Sequence, residues 1–272
     1  MRSLYRLTIA AGLAVLVGGA ASAITAVFAP RIVNGVPSAN YTGCLTDSTI
    51  VLQEANVSNP TIPNIWNAVQ DRWYLSADGV TPLGINPGEY FTLSARYKIE
   101  RLGSAGGRIE GGFRFFDAND WPPGDAFFMV SSDNPGPAGT GEMAVFGDPF
   151  QFTGWGQSYV NGTWVDMTLE YTNQGGVDGF IQTVNGPNGL FTSGFKAIAG
   201  PIATGLEPGE LLGGWLQMSN APDDPMNGGR ITWADIRLNG EPLTGTACVP
   251  EPGTFALLGA GLLPLLGIRR RK

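Results

Sequence analysis

Between residues 90 and 240, apolar and polar positions alternate in short runs bounded by Gly, Pro, Asn and Asp. Tyr90 to Ile99 alternates well, and Trp164 to Tyr171 alternates strictly, at the period of two that puts successive side chains on opposite faces of a strand. Residues 112–116 and 126–130 are compact aromatic runs, and 180–184, 211–218 and 230–238 supply further strands. Between them stand turn signals, Asn173-Gln174-Gly175-Gly176, Asn185-Gly186 and Asn239-Gly240, of the kind that closes hairpins. At least seven strands at short spacing, with no strong helical period, predict an all-β antiparallel sandwich over residues 44–248. Residues 24–43 read as a separate N-terminal segment. The stretch 60–75, with Trp66, Val69 and Trp73, is the one place with room for a helical turn. Trp164, Trp215 and Trp233 fall on strands and are assigned to the core.

Composition supports this picture and removes several kinds of chemistry. The chain has 272 residues, with 40 Gly, 20 Pro, 43% hydrophobic and 14% charged residues, too apolar for disorder and suited to many strands joined by tight turns. Histidine is absent, which excludes Ser-His-Asp catalysis, His-ligated metal sites and a histidine pH switch. The body, residues 24–248, carries ten basic against twenty-two acidic residues. That balance repels phosphate backbones and excludes nucleic acid as a partner.

The two ends follow other rules. Residues 1–23 have a basic start at Arg2 and Arg6, an apolar stretch from Leu7 to Ala21, and the small-x-small site Ala21-Ser22-Ala23, the parts of a signal peptide cut by signal peptidase. At the other end, residues 253–268 are almost wholly apolar and are followed by Arg269, Arg270, Arg271 and Lys272. Sixteen residues make a helix of about 24 Å, just under a bilayer core of about 30 Å, and the basic cluster sets its end in the cytoplasm. Pro250, Glu251 and Pro252 precede this transmembrane segment.

A Pro-Glu-Pro triplet, a short apolar helix and an Arg-rich end, in that order over residues 249–272, resemble the PEP-CTERM sorting signal. The resemblance implies a Gram-negative producer of exopolysaccharide. It also implies an exosortase that recognises the tail, cuts near Pro250–Pro252 and releases or re-anchors the protein at the cell surface or in the extracellular matrix. In the body, residues 111–116, 162–186 and 231–243 resemble the concanavalin-A-like jelly rolls of lectins, laminin-G domains and glucanases.

Cys44 and Cys248 flank the body. In an oxidising compartment, two cysteines without metal-site spacing predict one disulfide that pins the root of the tail to the domain; the alternative is two free thiols.

Candidate chemistry is sparse. Asp166 and Glu170 share a strand face, but the Glu-x-Asp-x-Glu alternation of glucanases of this fold does not occur, and the pair reads as solvated. Without histidine, a lyase is left with Tyr-Arg or Tyr-Lys arrangements such as Tyr97 beside Arg96 or Lys98. Asp117, Asn119, Asp120 and Asp125 gather hard oxygen ligands in one loop, a candidate Ca²⁺ site without EF-hand spacing, with Asp223 and Asp224 as a weaker one. Trp121 and Trp155 lie in Gly/Pro/Asp-rich stretches and are the candidates for stacking on a sugar ring. The expectation is an exported protein that binds or organises exopolysaccharide without catalysis. A polysaccharide lyase or glycoside hydrolase, and a purely structural matrix protein, are the alternatives.

Overall fold

In a computed structural model, the described residues are 24–33, 41–55, 68–102, 108–116, 127–131, 140–146, 153–198, 210–219 and 228–249. They form strands β1 (Thr25–Val33), β2 (Tyr41–Thr46), β3 (Thr49–Ala55), β4 (Ala68–Ser76), β5 (Gly84–Ile85) and β6 (Phe91–Leu102). These are followed by β7 (Arg108–Phe116), β8 (Phe127–Ser131), β9 (Thr140–Phe146), β10 (Thr153–Val160), β11 (Val165–Gln174) and β12 (Val177–Gly186). The last six are β13 (Gly189–Thr192), β14 (Lys196–Ala197), β15 (Glu210–Ser219), β16 (Gly228–Leu238), β17 (Glu241–Pro242) and β18 (Thr246–Cys248). Among the described residues there is no helix.

The strands build two antiparallel sheets. The first runs β1-β4-β15-β7-β8-β9-β10, with β5 added to β15; the second runs β13-β12-β11-β6-β16-β3-β2-β18, with β14 on β12 and β17 on β16. Alternation is what lets both sheets hide one face. Along β6, Phe91, Leu93, Ala95, Tyr97 and Ile99 are buried while the residues between them are not; β11 repeats this with Val165, Met167, Leu169 and Tyr171. From the first sheet come Trp73, Leu75, Ile109, Phe113, Leu212 and Leu216. Trp73 meets Trp233 of the opposite sheet edge-on, with centroids 5.7 Å apart and planes at 79°, the geometry that aromatic quadrupoles favour. Gly214 makes that contact fit, since a Cβ there would stand 2.4 Å from Trp73 Nε1 and 2.9 Å from Trp233 Cζ2.

Several expectations change. The stretch left open for a helical turn ends in β4, which begins at Ala68 and contains Trp73; the alternating Gln70, Arg72, Tyr74 and Ser76 fit a strand, while 56–67 lie outside the described residues. Residues 24–43, read as a separate segment, supply the edge strand β1 and the start of β2. The hairpin assigned to Asn185-Gly186 turns two residues later, at Pro187-Asn188, with Gly186 facing Gly189. The turns at Gly175-Gly176 and Asn239-Gly240 fall where expected, with positive φ at both central positions (65° and 86°; 54° and 84°), as type I′ hairpins require.

Cys44 and Cys248 are register partners across β2 and β18 and are joined by a disulfide, with Cα atoms 4.1 Å apart. The predicted signal peptide and transmembrane tail, 1–23 and 250–272, lie outside the described residues. Among those residues, no helix is long and apolar enough to cross a membrane.

Candidate functional site

The first sheet has a second face, turned away from the core, and three central strands give it an unusual content. Register places Gln70, Gln217 and Glu110 side by side across β4, β15 and β7. The next row holds Arg72, Trp215 and Gly112, and the next Tyr74, Gly213 and Arg114. Each strand puts polar, aromatic or glycine residues at i, i+2 and i+4 of this face, with Trp73, Gly214, Leu216, Gly111 and Phe113 on the core side. Gly112 and Gly213 leave no side chain between Trp215, Tyr74 and Arg114. The first of these rows continues outward by register through Arg31 on β1 and through Ser131, Glu142 and Ser158 on β8, β9 and β10. A line of polar register positions therefore crosses the whole sheet. Six spacings of about 4.8 Å make it about 29 Å long.

At its centre the side chains form a directed network. Arg72 Nη2 donates to Gln70 Oε1 at 2.8 Å, and Arg114 Nη1 donates to the same oxygen at 3.4 Å. Gln70 Nε2 donates to Gln217 Oε1, and Gln217 Nε2 donates to Glu110 Oε2 at 2.7 Å. The two amides are thus oriented in series, acceptors toward the guanidinium groups and donors toward the carboxylate. Arg72 Nη1 also reaches the Tyr74 hydroxyl at 3.4 Å. Arg114 lies over Trp215, its Cζ 5.5 Å from the ring centroid.

Arg114 is fully buried, and Gln70, Arg72, Glu110 and Gln217 are at most 5% exposed. Burying ionised groups costs several kcal/mol each, and apolar residues of the same volume are often at least as stable. Among the described residues, the non-core face of this sheet thus buries two cations, one anion and two amides at a cost that their hydrogen bonds must offset. Two guanidinium forks on strands either side of β15 are suited to planar anions, because each can donate two parallel hydrogen bonds to a carboxylate.

The sequence alone does not single out this network. Each strand contributes only two or three of its members, and a polar residue at every second position looks like a solvated face. The legible signal was the repetition of that pattern on three strands, as Gln70-x-Arg72-x-Tyr74, Glu110-x-Gly112-x-Arg114 and Gly213-x-Trp215-x-Gln217. Their adjacency is a matter of topology: β15 follows β4 by more than 130 residues and lies between β4 and β7.

The residues expected to carry chemistry are placed differently. Asp117, Asn119, Asp120, Trp121 and Asp125 lie outside the described residues, as do Asp223 and Asp224. Trp155 belongs to strand β10 rather than to a loop, inside the register shift between Gly154 and Gln157. Asp166 and Glu170 share the outer face of the second sheet, with Asp166 in an exposed ion pair with Arg96 at 3.2 Å; exposed pairs of this kind contribute roughly 0–1 kcal/mol. Trp164 is not a core residue. It precedes β11, is 37% exposed, and carries Arg96 and Lys98 over its ring at 5.2 and 5.3 Å. The strand parity that exposes Arg96 and half-exposes Lys98 buries Tyr97 completely, and burial holds its hydroxyl well above the ordinary phenol range. The tyrosine that does meet an arginine is Tyr74.

Residues 249–272 match the PEP-CTERM protein-sorting motif. The chain thus carries this signal, with Pro250, Glu251, Pro252 and Arg269–Arg271 at its two ends, which implies export, transient membrane anchoring and C-terminal processing by an exosortase. No curated protein matches the chain in sequence. Among solved structures, the chain is similar to the alginate lyase from Klebsiella pneumoniae, at 13% identity over 70% of this chain and 80% of that one, with a TM-score of 0.44. It is similar to an alginate lyase of polysaccharide lyase family 7, at 12% identity over 78% and 99%, with a TM-score of 0.43. A third is lectin II from Ulex europaeus, at 14% identity over 78% and 98%, with a TM-score of 0.39.

Proposed function

We propose that this is a cell-surface or extracellular-matrix protein of a Gram-negative bacterium that binds and organises exopolysaccharide through the outer face of its first sheet. The observation that carries the reading is the polar row across that sheet, with Arg72 and Arg114 beside its centre. A row perpendicular to the strands suits an extended polymer. The arginines suit one that bears carboxylates, while Gln70, Gln217 and Tyr74 suit its hydroxyls; all five are at most 8% exposed, so binding requires this face to be uncovered.

The acidic body does not forbid an anionic polymer. At physiological ionic strength the Debye length is about 8 Å, so charges on distant faces are screened, whereas a contact ion pair in a shielded site is not. Among the described residues the network has two cations against one anion. The long-range field slows approach; the contact term decides retention.

Tyr74, 3.4 Å from Arg72, keeps a second reading open. A lyase needs a group to take the proton beside a carboxylate and one to protonate the leaving oxygen, and a tyrosine next to a carboxylate-binding arginine can serve.

The test is to incubate the mature, oxidised protein with the producer's exopolysaccharide and to record co-sedimentation and polymer chain length together. Retention without shortening, at least tenfold weaker in Arg72→Lys and Arg114→Lys, is the expected result. Shortening that stops in Tyr74→Phe would make the protein a lyase. Neither retention nor shortening would leave the network as internal structure only.

A further inference from the structure

Val249, the first residue of the sorting motif, directly follows β18 and is still hydrogen-bonded to the second sheet. Its N–H donates to the Gly43 carbonyl at 2.8 Å, and the residue before it is bonded to Cys44. From Cys248 to the start of the apolar run at Gly253 is five Cα steps, a reach of about 18 Å when fully extended. Strand β18 has only three residues, too few to hold by backbone pairing alone against a segment anchored in lipid. Were it to peel away, the next attachment would be Gly245, whose carbonyl accepts from the Asp47 N–H at 3.2 Å, and the tether would lengthen to eight steps, about 29 Å. The disulfide is what keeps the tether short.

The other end of the body roots nearby. The carbonyl of Ile24, directly after the predicted signal peptide, accepts from the Thr244 N–H at 2.9 Å. Thr25 lies against Gly245, where a Cβ would stand 3.4 Å from Thr25 Oγ1. Five residues of extended chain, about 17 Å, separate Thr244 from Val249. Both roots therefore sit on one edge of the sandwich, where the outermost strand of the first sheet, β1, meets the outermost strand of the second, β18.

We infer that this β1/β18 edge faces the lipid headgroups while the sorting segment is attached, and that the Cys44–Cys248 bond clamps it there. The body stands edge-on, within about 18 Å of the point where the chain enters the bilayer. The processing enzyme must then cut in the short gap between a folded edge and the membrane.

The test uses the full-length chain, uncut, in vesicles of phosphatidylethanolamine and phosphatidylglycerol carrying a headgroup-linked quencher. A fluorescent amino acid is placed either at Thr246, exposed on β18, or at Leu190, exposed on β13 at the opposite edge of the second sheet. The expected result is quenching at least fivefold stronger at 246 than at 190. Inserting a twelve-residue Gly/Ser segment between Val249 and Pro250, which leaves the disulfide intact, should bring the two positions together. Cys44→Ser with Cys248→Ser should reduce the difference in the same direction. Equal quenching in the uninserted chain, or stronger quenching at 190, overturns the inference.

Discussion

Arg114 donates to Gln70 on one side and lies over Trp215 on the other, so its planar fork is held in place by a hydrogen bond and a ring. A lysine keeps the charge but offers a single point donor and cannot stack in the same way. Arg114→Lys should thus leave the fold in place and weaken polymer binding at least tenfold, read in the retention assay. Gly214 is constrained from the core side. Gly214→Ala puts a methyl into the Trp73–Trp233 contact, at distances of 2.4 and 2.9 Å that neither indole can relieve without leaving the T-shaped arrangement. The expected loss is about 1–3 kcal/mol in urea unfolding. An unchanged midpoint would mean that the pair is looser than its geometry implies. The residue scale is also where sequence reading reached least far. Alternation identified which side chains share a strand face, but a strand has two faces and polarity was equated with water. That holds for Asp166 and fails for Arg114, because whether a polar face is wet depends on what lies over it.

Strands themselves were legible because period two needs no tertiary knowledge. The predicted 90–99, 164–171 and 230–238 correspond to β6, β11 and β16; β6 and β11 start one residue later and run three further, and β16 starts two earlier. Hairpins were legible where two glycines or Asn-Gly supply positive φ. They were misplaced where Pro187-Asn188 makes the turn and Asn-Gly only precedes it. One element carries a pH signature. Asp178, at the start of β12, accepts from Asn173 Nδ2 at 2.6 Å, from the Tyr90 hydroxyl at 2.8 Å and from the Tyr171 hydroxyl at 2.9 Å. These bonds, Asn173's foremost, hold its carboxyl below the usual value of 3.8. A depressed folded pKa stabilises above the unfolded value, and the contribution is lost as pH falls through about 4 toward the folded one. Tyr171 moves the other way: burial first, with Asp178 adding to it, pushes it up to about 12, so its contribution holds below pH 10 and fades between 10 and 12. The stability difference between wild type and Asp178→Asn should therefore be constant from pH 5 to 9 and shrink below 4. A difference that persists at pH 3 would show that the carboxylate's charge is not what holds the turn.

The whole molecule is a sandwich whose C-terminal end carries a sorting motif and whose first sheet carries a polar floor. Its disulfide spans 204 residues of sequence, and the chain-entropy model assigns such a closure about 5 kcal/mol as an upper figure. Reduction should lower the unfolding midpoint in urea without changing the strand content seen by circular dichroism; an unchanged midpoint would mean that the bond acts only on the tail. At this scale the C-terminal end was the most legible part of the chain, since its motif is read as a linear string, whereas the polar floor depends on β15 being threaded between β4 and β7. The most direct test of the account is amide hydrogen exchange of the mature, oxidised protein with and without the producer's exopolysaccharide. The account predicts added protection in β4, β7 and β15. Protection confined to the outer face of the second sheet around Trp164, or none anywhere, would contradict it.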